Sequence, residues 1–268
     1  YRKINECRVS QDNDLISVLN LGDQYMTGVF PKTSEERISK GPLELVWSRK
    51  SNLLQLGHTY LQSEMYGDNY GYRSGLNQSM VRHLQDKIVK LENIISLKDD
   101  DVVVDIGSND GTTLNSYKNK NLLRVGIDPT SEKFSEYYES GIVRVNDFFS
   151  SEVFQSITNN KAKIITSISM FYDLDEPVQF AKEVSSCLDK NGIWHFEQSY
   201  MPAMLRNISY DTICHEHIEY YSLHNVISIL NKASLRVIDV EFNAINGGSF
   251  AITATKNDSN LISQKSLI

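Results

Sequence analysis

Val102-Val103-Val104-Asp105-Ile106-Gly107-Ser108-Asn109-Asp110-Gly111-Thr112 decides the fold: a β-branched apolar run enters a glycine turn, and helix-compatible residues follow. Gly107 and Gly111 permit positive φ and a close ligand approach, while the amides that open the next helix offer unpaired donors. Twenty-one residues after Gly107, a second apolar run, Leu122 to Ile127, ends on the carboxylate of Asp128. A carboxylate at that point of a βαβ unit accepts from two ribose hydroxyls. The turn lacks the G-x-G-x-x-G spacing of a pyrophosphate site and contains no lysine-bearing phosphate loop. Acidic residues at both strand ends suit a cationic nucleoside, which points to S-adenosylmethionine. Asp105, Gly107, Ser108, Asn109, Gly111, Asp128 and Pro129 are the candidate cofactor contacts. Asp147 and Phe148, after a third apolar stretch, are placed to meet an adenine amine and ring.

Outward from this turn, short apolar runs (102–106, 122–127, 142–145, 164–168, 193–196) alternate with helical candidates at 132–140, 177–188 and 223–233. Such alternation implies an α/β Rossmann-like domain with a mainly parallel sheet and helices on both faces. Leu235 to Phe242 and Gly248 to Thr255, joined through Asn246-Gly247-Gly248, predict a terminal antiparallel hairpin, bringing the sheet to seven strands. Met80, Leu84, Ile88, Leu91 and Ile95 keep the spacing of one helix face across 77–97. Residues 1–70, rich in turns, read as a small β-rich module; 71–256 form the nucleotide domain, and 257–268 a linker.

Bulk properties narrow the partners. Among 268 residues, 27 Lys and Arg face 34 Asp and Glu, a net charge of −7 with no long basic run, which disfavours nucleic acid. No apolar run reaches the roughly 18 residues of a membrane span, and the first residues hold no signal-peptide core. Three widely spaced cysteines, Cys7, Cys187 and Cys214, argue against a disulfide framework and for a reducing, cytoplasmic setting.

Two further clusters carry chemistry. Tyr210 to Tyr221 contains Cys214-His215-Glu216-His217 beyond the fifth strand, where open α/β sheets bind ligands. An imidazole there can remove a proton near neutral pH with a carboxylate setting its tautomer. His215 and His217 are two apart, not the four of a helical metal pair, so no metal is expected at them. Tyr66 to Asn77 interleaves tyrosines with glycines and one arginine, and Tyr70, Tyr72 and Arg73 are candidate contacts to phosphate or sugar hydroxyls.

Taken in order, Leu19-Asn20-Leu21-Gly22, Leu53 to Leu56, Tyr70 to Asn77, Asp105 to Gly111, Gly126 to Pro129, His215-Glu216-His217 and Asn246 to Ser249 span nearly the whole chain. With them the chain resembles the sugar C-methyltransferases of deoxysugar and nucleotide-sugar biosynthesis. The resemblance implies an S-adenosylmethionine-dependent enzyme, with S-adenosylhomocysteine as product and a nucleotide-linked keto-sugar as substrate. It makes His217 the base toward a carbon beside the ketone, with Glu216 next to it in the active site. His215 and Cys214 are then substrate-side residues; some members carry tyrosine at the position of Cys214. The family's zinc module uses four cysteines, of which Cys7 remains, with Ser48 or Ser51 where the second pair falls, so zinc is not expected. The C-terminal domain of the family is also missing from this sequence. Sugar O-methylation, a non-catalytic cofactor-binding scaffold and a nicotinamide-dependent oxidoreductase are the rival readings, the last disfavoured by the glycine spacing.

Overall fold

The computed structural model describes residues 1–66 and 70–263. Gly67, Asp68 and Asn69 of the tyrosine-rich cluster, and residues 264–268 of the expected linker, lie outside the described residues.

The chain begins with β1 (Arg2–Lys3), β2 (Leu15–Tyr25), β3 (Lys40–Ser48), β4 (Leu54–Leu56) and β5 (His58–Thr59), then the short helix α1 (Gln62–Met65). Helix α2 (Gln78–Ile94) starts where Asn77 accepts the amide of Ser79 (3.0 Å), an N-cap that satisfies a free terminal donor. It buries Leu84, Ile88 and Leu91, the face foreseen from their spacing. Next come β6 (Val102–Ile106), α3 (Thr112–Asn115), β7 (Leu123–Ile127), β8 (Ile142–Val145), α4 (Ser151–Ile157), β9 (Ala162–Ile168), α5 (Pro177–Cys187) and β10 (Leu188–Ser199). Then follow α6 (Met201–Asn207), β11 (Glu219–Tyr220), α7 (Leu223–Lys232), β12 (Leu235–Asn243) and β13 (Ser249–Lys256).

Seven strands form one sheet in the order β12-β13-β10-β9-β6-β7-β8. The five from β10 to β8 are parallel, and the β12–β13 hairpin adds antiparallel pairing at one edge. This is the expected Rossmann-like α/β fold. All five residues of β6 are buried, as a central strand covered on both faces requires. The chain reverses its order between β6 and β9, and a crevice opens there beyond the carboxyl ends of the strands.

Two expectations need correction. The helix foreseen at 132–140 is a single turn of 3-10 type at Ser135–Tyr137. Ser131, Lys133, Ser135, Tyr137 and Tyr138 each donate to the carbonyl three residues back, which winds the segment too tightly for an α-helix and turns Tyr138 toward Ser108. Helices α4 and α6 were not foreseen. Ser150 caps α4 by accepting the amide of Val153 (3.1 Å), and Pro202 sits in the first turn of α6, where a missing N–H costs nothing.

The segments on either side of residue 70 pack against one another. The smaller sheet has the order β11-β4-β3-β2, so its edge strand β11 comes from residues just past His217. Cys7, Val9 and Leu53 also belong to the same buried cluster as the strands of the large sheet. Among the described residues, no helix is long and apolar enough to cross a membrane.

Candidate functional site

A cavity of about 670 Å³ opens at the reversal between β6 and β9, within the range of small-molecule sites. One end is built by the glycine turn. Gly107 stands at φ 72° with Met170 3.1 Å from where a Cβ would lie, so a side chain there is both strained and obstructed. Ser108 and Asn109 line the cavity behind it. Asn109 and Asp110 clamp the tyrosine-rich segment over the turn: Asn109 Oδ1 accepts from the Ser74 amide (2.9 Å), Asn109 Nδ2 donates to Tyr72 O (3.1 Å), and Asp110 Oδ2 accepts from the Gly75 amide (2.8 Å). Tyr70 and Tyr72 thereby become walls of the cavity.

Asp128 reaches the cavity from the end of β7, beside Pro129. Its Oδ2 accepts from the Asn109 amide (2.8 Å), and its Oδ1 accepts from the amide and hydroxyl of Thr130 (2.6 Å each). A carboxylate offers about four lone-pair sites. Three are in use, so Asp128 has capacity for one further hydroxyl rather than the two expected. Asp105 is buried at the end of β6 with its Oδ1 accepting from Thr166 Oγ1 (2.6 Å). Burial pushes its carboxyl up to about 7, with Asp128 and Asp110 adding to the rise against hydrogen bonds from Thr166 and Thr113.

The other candidates of this end divide. Phe148 lines the cavity, whereas Asp147 is exposed, outside the lining, and accepts the amide of Phe148 (2.7 Å). Gly111 stands behind the turn against the ring of Tyr138, where a Cβ would approach to 2.8 Å, so its part is to close the loop rather than to meet a ligand. Arg73 points away and stacks on the ring of Tyr137 (3.9 Å to the centroid).

The opposite end is assembled from four segments. His217 and Glu216 line it together with Tyr66, Tyr172 and Asp173. His217 Nδ1 faces Thr212 O at 3.1 Å. A carbonyl only accepts, so Nδ1 carries the proton and Nε2 keeps its lone pair in the neutral ring. The ring of Tyr172 lies 4.3 Å from that of His217 and holds it in place. Glu216 packs so tightly on Gly28 that a Cβ there would sit 1.7 Å from Glu216 Oε1, and Oε1 is buried with no hydrogen-bond partner among the described residues. Burial raises its pKa, and His217 draws it back.

His215, two residues from His217, is turned the other way. It is fully buried in the smaller sheet's core, edge-on to Tyr60 (ring centroids 4.8 Å), with Nε2 against Gly41 O (3.2 Å). It is a packing residue and not the substrate contact expected of it. Cys214 is also absent from the cavity lining. Cys214, Glu216 and His217 bring donor-type atoms within 4.8 Å of one another, and burial pushes the thiol up to about 11.

Sequence reasoning missed Tyr172 and Asp173, and placed Tyr66 only within the tyrosine-rich cluster. Asp173 sits in a 3-10 turn, Phe171–Asp173, that follows the carboxyl end of β9. A carboxylate just past a central parallel strand was the available signal.

At the other side of the smaller module, Cys7 Sγ lies 3.1 Å from Ser51 Oγ, and Ser51 Oγ donates to Ser48 Oγ (3.0 Å). Ser10 Oγ is buried nearby without a partner among the described residues. One thiol and three neutral hydroxyls are a poor donor set for zinc, which takes thiolate, imidazole or carboxylate. These residues do not fit the ion.

Two family models match the chain: a zinc binding domain over residues 7–66 and a methyltransferase domain over residues 76–240. A curated relative, the C-methyltransferase NovU of Streptomyces niveus, is 27% identical over 257 residues, covering 94% of this chain and 61% of that protein. The chain thus spans about three fifths of that relative's length. Among solved structures, the plantazolicin methyltransferase BpumL in complex with SAH aligns with a TM-score of 0.53 at 11% identity, over 68% of this chain and 87% of that one. A complex of the Haloferax volcanii Trm112 methyltransferase activator with a methyltransferase aligns at 0.50 with 12% identity, over 67% and 95%. At such identities these structures speak to the fold alone.

Proposed function

The chain belongs to the methyltransferase-domain family, and from that premise we propose that it methylates a carbon of a nucleotide-linked keto-sugar, with His217 as the base. Its methyl donor is S-adenosylmethionine. The observation that carries the reading is His217 itself: its Nδ1 is tied to Thr212 O, which leaves Nε2 as the accepting nitrogen of the neutral ring, and the residue lines the cavity that the glycine turn opens at its other end. The relative NovU is by its name a C-methyltransferase, which favours carbon over oxygen.

In this reading Gly107, Ser108 and Asn109 receive the methionine and ribose part of the cofactor, Asp128 takes one ribose hydroxyl, and Phe148 covers the adenine. His217 Nε2 removes a proton from the carbon beside the ketone; the enolate then attacks the sulfonium methyl, and the sulfur leaves as the thioether. Glu216, uncompensated and next to the imidazole, stabilises the imidazolium that forms. Holding both reactants in one cavity supplies much of the acceleration. Tyr70 and Tyr72 provide phenolic donors for the sugar or its phosphates. The three free cysteines fit a cytoplasmic, reducing setting.

The test is solvent deuterium exchange into a thymidine-diphosphate-linked keto-deoxyhexose without methyl donor. Exchange by the parent and its loss in His217→Ala support the assignment. Methyl transfer by a parent that exchanges nothing would indicate an oxygen acceptor, and cofactor binding without any transfer would indicate a scaffold.

A further inference from the structure

The geometry points to Asp173 as a second catalytic residue: a neutral carboxylic acid that donates a hydrogen bond to the acceptor's ketone oxygen while His217 removes the neighbouring proton. This inference rests on the keto-sugar reading above.

Three observations converge. First, Asp173 and His217 are set side by side by the backbone. The Ile218 amide donates to Tyr172 O (3.0 Å), so the residue before Ile218 and the residue after Tyr172 flank one bridge, and both line the cavity. Second, the two oxygens of Asp173 are unequal. Tyr66 Oη donates to Oδ2 (2.8 Å), whereas Oδ1 is buried with no hydrogen-bond partner among the described residues. With Oδ2 already accepting, the acid's proton belongs on Oδ1, the oxygen no protein group satisfies. Third, the surroundings disfavour a charge. Burial holds the carboxyl well above the usual carboxylate range, Glu216 and Cys214 add to the rise, and His217 and the Tyr66 hydroxyl only partly oppose it. Tyr66 is a positioning residue here. Its own ionisation is suppressed by burial and by Asp173, so it remains a fixed donor.

The chemistry needs such a donor. When the C–H bond breaks, its proton goes to His217 Nε2, the electron pair forms the carbon–carbon double bond, and negative charge moves onto the ketone oxygen. A neutral acid already in place stabilises that oxygen without reorganisation. As the carbon attacks the methyl group and the carbon–sulfur bond breaks, the carbonyl re-forms and Asp173 keeps its proton. The sequence consumes ketone and sulfonium and yields methylated ketone, thioether and one proton held by His217.

The test combines kinetics with spectroscopy. Removal of one such donor lowers kcat about 10²- to 10³-fold, and this is expected of Asp173→Ala in the deuterium exchange of the thymidine-diphosphate-linked keto-deoxyhexose, with KM nearly unchanged. Asp173→Asn keeps a neutral donor and is expected to lose less than about tenfold. Infrared difference spectra at pH 7 should show the C=O stretch of a protonated carboxylic acid in the parent and its loss in Asp173→Asn. A loss carried by KM alone, an Asp173→Ala variant that exchanges like the parent, or absence of the acid band overturns the proposal. If the parent itself exchanges nothing, the keto-sugar reading falls, while the infrared band still decides whether Asp173 holds its proton.

Discussion

The two ends of the cavity are made in different ways. The end proposed to take the cofactor is contiguous: strand β6, its glycine turn, and the acid that closes β7 follow one another in sequence and in space. The end proposed to take the acceptor is gathered from Gly28, Tyr66, the turn after β9 and the segment before β11, which are far apart in the chain. The first is secured by backbone geometry and hydrogen bonds to amides, so its residues mostly position. The second is lined by titratable groups with oxygens that have no partner among the described residues, Glu216 Oε1 and Asp173 Oδ1, and such groups raise the energy of the unliganded protein in return for reactivity. Binding and chemistry should therefore be separable by mutation.

The largest effect belongs to the acceptor end. His217→Ala should lower methyl transfer by about 10²- to 10⁴-fold, the contribution of a general base, with S-adenosylhomocysteine affinity by calorimetry unchanged. A comparable fall in affinity would merge the two ends. Next, Asp128→Ala should weaken cofactor binding by about 10- to 100-fold, the loss of hydrogen bonds to a charged acceptor. Calorimetry reads this, and unchanged affinity would remove Asp128 from the ribose site.

His215→Ala tests how sharply the division falls between neighbours. Because His215 is buried away from the cavity, its loss should cost about 1–3 kcal/mol of stability in denaturant unfolding. The kcat of the folded fraction should stay near that of the parent, and a kcat collapse would return His215 to the site.

A smaller effect follows from Asp105, whose pKa is raised to about 7. The folded chain holds a proton there that the unfolded chain releases near the ordinary value of 3.8. The stability it contributes is complete below that value and is lost as pH rises through 7. The sulfonium cation favours the ionised form, so S-adenosylmethionine affinity should climb between pH 6 and 8 more steeply than that of the neutral thioether product. Parallel pH profiles for the two would exclude Asp105 as the group that senses the cation.

The smallest effect is expected at the Cys7, Ser10, Ser48 and Ser51 cluster. A chelator should leave the melting temperature unchanged, since one thiol and three hydroxyls do not fit zinc. A fall in melting temperature, with zinc in the filtrate, would contradict this.

The contrast also explains what could be read from the amino acids. The strand, the glycine turn and the strand-terminal acid that line one end of the cavity were legible because a β-branched run, a glycine needing positive φ and an acid closing a strand are local signals. The large sheet, its terminal hairpin and α2 were legible for the same reason. The acceptor end was legible only in part. His217 stood out as a titratable residue past the fifth strand, but nothing in the run Cys214-His215-Glu216-His217 reveals that His215 faces Tyr60 while His217 faces the cavity. That choice is made when β11 joins β4. Asp173 was hidden because its partner Tyr66 lies 107 residues away. The false helix at 132–140 has the same cause: a tertiary bond from Ser108 overrides what the local pattern favours.

A crystal structure of the chain with S-adenosylhomocysteine addresses the central claim most directly. The account predicts adenosine against Asp128 and Phe148, and the thioether sulfur beside the Gly107–Asn109 turn, directed toward Nε2 of His217. A nucleoside bound anywhere else, or a sulfur screened from His217 by protein side chains, would contradict it.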